Sequence, residues 1–180
     1  MPSLLIEKSM VISRIAHKGQ MRLQGEPYFN HPERIAKRAE FFGFPEQAVA
    51  AAYLHDVIED CDIKWTQLVI LLLDAPLTIP TCDLVLQVTN VAKPEDGNRA
   101  TRMAINRAHL AKSSYWGASL KCLDIEDNLT SPFDDPVWAK KYFAEKELEI
   151  AILRHADPRA WTVAHDACCR GPTIVPKTGP

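Results

Sequence analysis

The stretch Tyr53-Leu-His-Asp-Val-Ile-Glu-Asp60 places four polar side chains at the end of an apolar helical pattern. It continues the run Ala48-Val-Ala-Ala-Ala-Tyr-Leu54, which predicts a buried helix. Because an α-helix returns to the same face every three to four residues, His55 and Glu59 are expected to lie near each other. Buried polar groups are costly unless something pairs with them. A divalent metal ion would do so, and the stretch therefore predicts a metal site on a buried helix.

Composition and charge indicate one ordinary globular domain. The chain has 180 residues, of which 47% are hydrophobic and 24% are charged, and this is enough for a sizeable core. Its formal net charge of −2 gives no electrostatic reason to expect nucleic-acid binding. Residues 2–14 mix charged and apolar positions, which is typical of an amphipathic helix and not of a signal peptide. No apolar run approaches membrane-spanning length, so we expect neither a nucleic-acid nor a membrane partner.

The cysteines indicate a reducing compartment. Their number is odd and none has zinc-type Cys-x-x-Cys spacing: Cys61, Cys82, Cys122, Cys168 and Cys169. We therefore expect free thiols and a cytoplasmic protein. Cys61 adjoins the acidic cluster, which by itself is weak evidence for a reactive thiol. The oligomeric state is left open.

Hydrophobic periodicity predicts a succession of helices. The expected spans are residues 3–18, 31–43, 45–59, 82–91, 99–112, 116–129, 137–155 and 159–169. Residues 64–74 suit a buried helix or a strand, and their helical neighbours favour a helix. Residues 171–180 are too rich in proline and glycine for regular structure. The prediction is an all-α fold with a single compact domain over residues 1–170 and a flexible carboxy-terminal tail over residues 171–180.

Two further residues complete a set of metal-type ligands. His31 opens the predicted second helix, and Asp124 lies within a later apolar helix. With His55 and Asp56 they offer two imidazoles and two carboxylates, which suit Mn²⁺, Fe²⁺ or Zn²⁺. Taken singly, His31 is better explained as a helix-capping residue, and His55 as a core histidine hydrogen-bonded to a carbonyl. Taken together, the four residues predict a metal centre.

The order His, His-Asp, Asp on predicted helices resembles the HD-domain phosphohydrolases. Three segments narrow the resemblance to the hydrolase domain of the RelA/SpoT alarmone enzymes: His17-Lys-Gly-Gln-Met-Arg22, Gly25-Glu-Pro-Tyr-Phe-Asn-His-Pro32 and Leu54-His-Asp-Val-Ile-Glu-Asp60. Freestanding small alarmone hydrolases, including those of the metazoan SpoT-homologue type, share that domain. Lys121-Cys-Leu-Asp-Ile-Glu-Asp-Asn-Leu129 is similar to the family's later Lys-x-x-Asp-x-x-x-Asn-Leu segment. The resemblance covers residues 10–145, and a synthetase domain is not expected in what remains.

This resemblance implies an all-helical, metal-dependent hydrolase that removes pyrophosphate from the 3′ position of (p)ppGpp, usually with Mn²⁺, to give GDP or GTP. The matching residues receive their roles from the family: metal ligands at His31, His55, Asp56 and Asp124, water activation at Glu59 and Asp60, and nucleotide contacts at Arg22, Asn128 and Tyr142. The expected partner is therefore a small nucleotide.

The spacing of these residues suits their implied roles. Glu59 lies one turn after the histidine of the His-Asp pair, so it would orient the attacking water and accept its proton. Asp60 would hold the water or an outer hydrogen bond. Arg22 offers a flat guanidinium for stacking on a purine. Asn128 lies one turn after Asp124 and would reach toward the substrate while Asp124 binds the metal.

Two positions depart from the family pattern. Ile125 follows the last ligand aspartate where relatives often carry Lys or Arg, and Leu23 lies where some relatives are basic. Fewer cations reduce the charge available to hold a polyphosphate. Four residues are candidates to compensate: Lys18, Lys93, Arg99 and Arg102.

These departures leave two alternatives to (p)ppGpp hydrolysis. The first is an HD-domain phosphohydrolase of another nucleotide, such as ppApp, a deoxynucleotide or a 3′-phosphorylated cofactor. The second is a degenerate domain that senses a nucleotide without hydrolysing it. The complete ligand set and the intact Glu59-Asp60 pair argue against the second alternative.

Overall fold

The structure, a computed structural model, describes residues 3–23 and 25–175. Within them lie ten α-helices: α1 (Leu4–Ala16), α2 (Asn30–Phe41), α3 (Glu46–Leu54), α4 (Val57–Asp60), α5 (Trp65–Leu71), α6 (Thr78–Val88), α7 (Arg99–Leu110), α8 (Tyr115–Thr130), α9 (Pro136–Ile152) and α10 (Pro158–Arg170). A 3₁₀ turn spans Pro94–Asp96. Strand-like pairing in the described residues is limited to two isolated bridges, Met21 with Pro27 and Phe133 with Ile174. The predicted all-α fold is confirmed.

Helix α3 runs through the centre of the core. Residues 48–54 are all buried, and the helix packs against α1, α2 and α6. Its alanine side chains allow the neighbouring helices to approach closely, as the dense packing of protein interiors requires. Helix α8 is a second central element, packed against α2, α6 and α10. Because α3 and α8 are also in contact, residues far apart in sequence meet where α3 ends.

The predicted continuous helix over residues 45–59 is wrong, because the helix breaks at His55 and Asp56. Helix α3 ends just before them and α4 begins just after. The His55 ring hydrogen-bonds to the Ala52 carbonyl at 2.9 Å. In a continuous α-helix that carbonyl would accept the Asp56 amide instead. The side chain thus takes the place of a helical hydrogen bond, and the break turns His55 and Asp56 toward one point.

The predicted start of the next long helix at Cys82 is also wrong, because α6 begins at Thr78. Pro80 lies in its first turn, where the missing backbone N–H leaves no helical hydrogen bond unmade. The Thr78 hydroxyl donates to the Leu72 carbonyl at 2.6 Å, which fixes the entry to the helix. The ambiguous segment over residues 64–74 is helical, as favoured, and the remaining helices lie close to their predicted bounds.

Part of the predicted tail contacts the domain. The Phe133 N–H donates to the Thr173 carbonyl at 2.8 Å, and the Val175 N–H donates to the Phe133 carbonyl at 2.9 Å. These bonds pair residues 173–175 with the segment between α8 and α9. Residues 176–180 of the predicted tail lie outside the described residues. The flexibility of the tail and the domain limits stay predictions.

The five cysteines are free, in agreement with the prediction of free thiols. Cys61 Sγ lies 3.3 Å from His17 Nδ1, but burial raises the pKa of the Cys61 thiol to about 11. A thiol with so high a pKa stays protonated near neutral pH, which disfavours nucleophilic reactivity. Among the described residues, no helix is both long enough and apolar enough to cross a membrane.

Candidate metal centre

Four donor atoms from three parts of the chain meet at the break between α3 and α4. His31 Nε2 lies 3.5 Å from Asp56 Oδ2 and 3.2 Å from Asp124 Oδ1. His55 Nε2 lies 3.0 Å from Asp56 Oδ2 and 3.7 Å from Asp124 Oδ1. The donor atoms of His31, His55 and Asp56 all lie within 4.8 Å of one another. The structure therefore brings together the four residues predicted as metal ligands.

Hydrogen bonds on the outer side of each ring set the histidine tautomers. His55 Nδ1 lies 2.9 Å from the Ala52 carbonyl, which can only accept a hydrogen bond. His31 Nδ1 lies 2.7 Å from Asp127 Oδ2, again an acceptor when ionised. Each Nδ1 therefore donates, and in the neutral ring each Nε2 carries a free lone pair. Both lone pairs face the same centre, which is the arrangement that metal-binding histidines require.

The donor set fits a divalent cation. Among the described residues, the buried His55 Nε2 has no hydrogen-bond partner, although Asp56 Oδ2 lies 3.0 Å away. A buried polar atom left unpaired costs about 1–3 kcal/mol. A cation between the two imidazoles and two carboxylates would satisfy it. Mixed imidazole and carboxylate ligands suit Mn²⁺, Fe²⁺ and Zn²⁺.

The electrostatics of the centre indicate a demand for positive charge. Burial alone would lower the pKa of His55, but the carboxylates of Asp56 and Asp124 raise it above its ordinary value. Burial opposes ionisation of Asp56, yet its pKa is lowered, mainly by His55. The pKa of Asp124 is likewise lowered against burial, first by Lys121 and then by the two histidines. Two carboxylates, one buried and one half-buried, are thus stabilised by the positive charge of imidazole and ammonium groups, and a divalent cation would supply such charge.

Lys121 and Asn128 hold the two oxygens of Asp124. The Lys121 Nζ lies 2.8 Å from Asp124 Oδ2, and the Asn128 amide donates to Asp124 Oδ1 at 2.6 Å. Oδ1 is therefore the oxygen that faces the imidazoles, while Oδ2 is engaged by the ammonium. The sequence predicted that Asn128 reaches toward the substrate. In the structure its amide group also donates to a ligand-type carboxylate, and the substrate contact stays a prediction.

Arg22 is fixed against α8. Its guanidinium donates to Asp127 Oδ2 at 3.1 Å, to Asn128 Oδ1 at 2.9 Å and to Ser131 Oγ at 3.3 Å. The side chain is 12% exposed, so little of it faces solvent. These in-plane hydrogen bonds leave the faces of the guanidinium as the surfaces open to stacking.

Glu59 and Asp60 lie on α4 and have different partners. Glu59 accepts hydrogen bonds from the backbone N–H of Asn90 at 3.1 Å and from the side-chain Nδ2 of Asn90 at 2.6 Å. Tyr28 Oη lies 2.7 Å from Asp56 Oδ2 and 2.8 Å from Asp60 Oδ2. One hydroxyl proton cannot serve both carboxyls. Burial and the charge of Asp56 raise the pKa of Asp60 above its ordinary value, so the Tyr28 hydroxyl lies between two carboxyl groups of unequal acidity.

Two adjoining cavities open beside the centre. The first, about 460 Å³, has mostly polar and charged walls that include Asp56, Glu59 and Asp124. The second, about 320 Å³, has a largely apolar wall that includes Leu23 and aromatic rings. Both are lined by Tyr28, Asn128 and Tyr142. Tyr142, predicted as a nucleotide contact, therefore stands on the boundary between a charged and an apolar space.

The charged cavity contains cations that the sequence could not place. Arg99 lines it and pairs with Glu145 at 2.6 Å. Arg102 lines it without an ion pair among the described residues, and its buried Nε has no hydrogen-bond partner. Lys18 and Lys93 are not among the residues that line either cavity. Arg102 is therefore the candidate best placed to meet an anionic group.

The two departures from the family pattern occupy different environments. Ile125 is 0% exposed and lies in the core, away from the charged cavity. Its apolar character is thus explained by packing. Leu23 is 86% exposed at the rim of the apolar cavity, where it adds contact surface instead of charge.

Four residues of the site were given no role by the sequence: Tyr28, Asn90, Lys121 and Asp127. Tyr28 and Lys121 lie inside the quoted motifs, and Asp127 lies one turn before Ser131 and three residues after Asp124, so helical spacing places it near the ligand face. Asn90 had no such signal. It meets Glu59 only through the tertiary fold.

Sequence comparisons identify relatives of the chain. No protein-family model matches it. Over 157 residues, 81% of the chain, it is 32% identical to a probable guanosine-3′,5′-bis(diphosphate) 3′-pyrophosphohydrolase of Mycoplasma pneumoniae. Over 101 residues, 56% of the chain, it is 36% identical to a guanosine-3′,5′-bis(diphosphate) 3′-pyrophosphohydrolase of Vibrio cholerae. These matches cover 20% and 14% of the relatives, so the chain spans a fifth of their length or less.

The fold is similar to a solved structure described as "A metazoan ortholog of SpoT hydrolyzes ppGpp and plays a role in starvation responses". The two superpose with a TM-score of 0.80, and the match covers 94% of this chain and 97% of that chain. Their sequences are 23% identical. The likeness therefore shows a shared helical fold along almost the whole of both chains.

Proposed function

The chain is a homologue of the RelA/SpoT-type guanosine-3′,5′-bis(diphosphate) 3′-pyrophosphohydrolases, and from that premise we propose that it hydrolyses (p)ppGpp with a bound metal. The products would be GDP or GTP and pyrophosphate. The observation that carries the proposal is that the four-ligand centre opens into a charged cavity joined to an apolar one. An alarmone has a phosphate-rich end and a flat base, and these require such environments side by side.

We propose Mn²⁺ as the bound ion, held by His31, His55, Asp56 and Asp124. The unpartnered His55 Nε2 and the mixed donor set support it. When bound, a divalent cation supplies Lewis acidity, which lowers the pKa of water and offsets phosphate charge. Because Fe²⁺ and Zn²⁺ share these ligand preferences, metal analysis of the purified protein is the measurement that separates the three.

Glu59 is proposed to accept the proton of the attacking water. Its carboxylate lines the charged cavity, and two donors from Asn90 hold it in one orientation. A positioned carboxylate of this kind acts as a general base. Asp60 is proposed to act through Tyr28, whose hydroxyl bridges it to Asp56 and so fixes a ligand carboxylate.

The substrate is proposed to span both cavities. Arg102, without an ion pair among the described residues, would meet phosphate oxygens in the charged cavity. Arg22 and Tyr142 would flank the base in the apolar cavity. Asn128 lines both spaces, so it would contact the nucleotide near the junction of the two.

A second candidate substrate is the adenine alarmone ppApp. Among the described residues, no carboxylate lines the apolar cavity. Guanine presents two adjacent N–H donors on its pairing edge, which a carboxylate can accept together. Adenine does not present that pair of donors. The cavity therefore offers no side-chain device of that kind for preferring guanine.

Turnover of a substrate panel tests the proposed function. Purified protein with Mn²⁺ should release pyrophosphate from (p)ppGpp, and from ppApp if the base is read weakly. Release should stop when a chelator is added, because the centre depends on a cation. No release from (p)ppGpp, together with clean turnover of a deoxynucleotide or a 3′-phosphorylated cofactor, would replace the proposed substrate.

Asn90→Ala is expected to reduce kcat by about tenfold, because Glu59 would lose the side-chain Nδ2 donor that holds one of its oxygens and keep only the backbone N–H of residue 90. Affinity for Mn²⁺ should stay near that of the unmodified protein, since Asn90 contacts no ligand residue in the described structure. Asn90→Asp is the matched variant. A carboxylate cannot donate to Glu59 and repels it, so this variant should be no more active than Asn90→Ala. Full activity in Asn90→Asp would contradict the role given to Asn90.

We also place the chain in the cytoplasm. The free thiols support a reducing compartment. Its proposed partner is the nucleotide substrate.

A further inference from the structure

Asp127 gathers three cationic or donor groups at one carboxylate behind the metal centre. Its Oδ2 accepts from His31 Nδ1 at 2.7 Å and from Arg22 at 3.1 Å. Arg34 donates to both oxygens, through Nε at 2.6 Å and Nη2 at 3.0 Å. Asp127 itself is buried, so these side chains and not solvent surround its carboxylate. One oxygen atom thus joins a ligand histidine to the arginine of the apolar cavity.

A second route links the same arginine to another ligand. Arg22 donates to Asn128 Oδ1 at 2.9 Å, and the Asn128 amide donates to Asp124 Oδ1 at 2.6 Å. The guanidinium of Arg22 is therefore one hydrogen-bonded residue away from His31 and, by a separate path, from Asp124. The two connecting residues, Asp127 and Asn128, are neighbours in the sequence on α8.

We propose that Asp127 is a positioning residue that couples the metal shell to the nucleotide cavity through Arg22. The inference rests on the proposed metal site and nucleotide cavity. A change in how Arg22 is held alters the hydrogen bonds that aim His31 and Asp124. Coupling between two binding sites is reciprocal, so metal and nucleotide raise each other's affinity by the same factor.

The charges around Asp127 explain why it suits this position. Arg34 is also held by Glu26, through two bonds of 2.9 Å. Glu26 belongs to the segment that pairs with Arg22 backbone, since the Arg22 N–H donates to the Glu26 carbonyl at 2.9 Å. The carboxylate of Asp127 thereby anchors, through Arg22 and Arg34, the loop that carries the cavity wall. Outer hydrogen-bond partners of metal ligands typically change metal affinity by about 10–100-fold when removed.

Titration of the metal-free protein with Mn²⁺, without nucleotide, tests the coupling by calorimetry. Asp127→Asn should weaken Mn²⁺ binding by about 10–100-fold. Glu126→Gln is the matched control on the same helix, because Glu126 pairs with Arg38 and contacts no ligand. It should bind Mn²⁺ as the unmodified protein does. Equal Mn²⁺ affinity in the two variants would overturn the proposal.

The Arg22→Gln variant separates coupling from a merely structural effect. It should weaken Mn²⁺ binding several-fold in the unmodified background and much less in the Asp127→Asn background. Mn²⁺ should also tighten GDP binding, and tighten it less in Asp127→Asn. Additive effects of the two substitutions on Mn²⁺ affinity would reject the coupling. The Mn²⁺ affinities of the two single variants and the double variant could be non-additive, as predicted, in a protein that never releases pyrophosphate. That result would refute the proposed function and leave the coupling intact.

Discussion

His55→Ala is expected to eliminate Mn²⁺-dependent pyrophosphate release. The substitution removes a buried Nε2 that has no hydrogen-bond partner in the described part of the chain. Its lone pair faces the centre because Nδ1 donates to the Ala52 carbonyl. The substitution also leaves the carboxylates of Asp56 and Asp124 with only the His31 imidazole, since both rings face both carboxylates in the unmodified protein. Repulsion between the two carboxylates is then offset by one imidazole instead of two, so the metal-free variant should also melt at a lower temperature. Mn²⁺ calorimetry, pyrophosphate release and thermal melting are the measurements.

His155→Ala is the matched control for this substitution. His155 is exposed and contacts the Ser113 carbonyl at 3.0 Å, away from the centre. The control should keep both Mn²⁺ affinity and activity. In the unmodified protein, Mn²⁺ at a hundred times its Kd should add about 2.7 kcal/mol of stability, and this increment should vanish in His55→Ala. An active, metal-stabilised His55→Ala would mean that the cation binds elsewhere.

Glu59→Gln is expected to lower kcat by about 10²–10⁴-fold while leaving Mn²⁺ affinity almost unchanged. The amide keeps the size of the side chain but cannot accept a proton as a carboxylate does. Glu59 contacts Asn90 and no ligand residue in the described structure, so the metal shell should persist. This separation of catalysis from metal binding distinguishes a base from a ligand. Kinetics with (p)ppGpp and metal titration provide the two readouts.

Glu95→Gln provides a comparison for the base substitution. Glu95 is exposed in the 3₁₀ turn and lines neither cavity. It should retain the kcat of the unmodified protein. If Glu59→Gln remained equally active, the proton would have to be accepted by another group of the charged cavity. If it lost Mn²⁺ instead, Glu59 would act on the metal shell and not as the base.

The buried pattern before His55 was sufficient to predict a core helix, because an unbroken apolar run is stable in water only when covered. The same stretch gave a wrong prediction of one continuous helix. Hydrophobic periodicity reports which face of a helix is buried, but it cannot show that the His55 side chain donates to the Ala52 carbonyl in place of the Asp56 N–H. Similarly, the position of Ile125 in a family motif suggested that the site has fewer cations to bind phosphate. The packing of α8 instead places this side chain in the core.

The sequence by itself determined the helical class, because hydrophobic periodicity is a local property. It also pointed to His31, His55, Asp56 and Asp124 as the proposed metal ligands, through residue type and resemblance to the family, and it placed Glu59 and Asp60 next to each other. Only the tertiary structure decided which nitrogen of each histidine faces the centre, because that depends on acceptors contributed by Ala52 and Asp127. It also decided that Asn90 orients Glu59 and that Arg22 is tied to two ligand residues. These contacts join segments far apart in the chain, and their geometry arises when α2, α3 and α8 pack together.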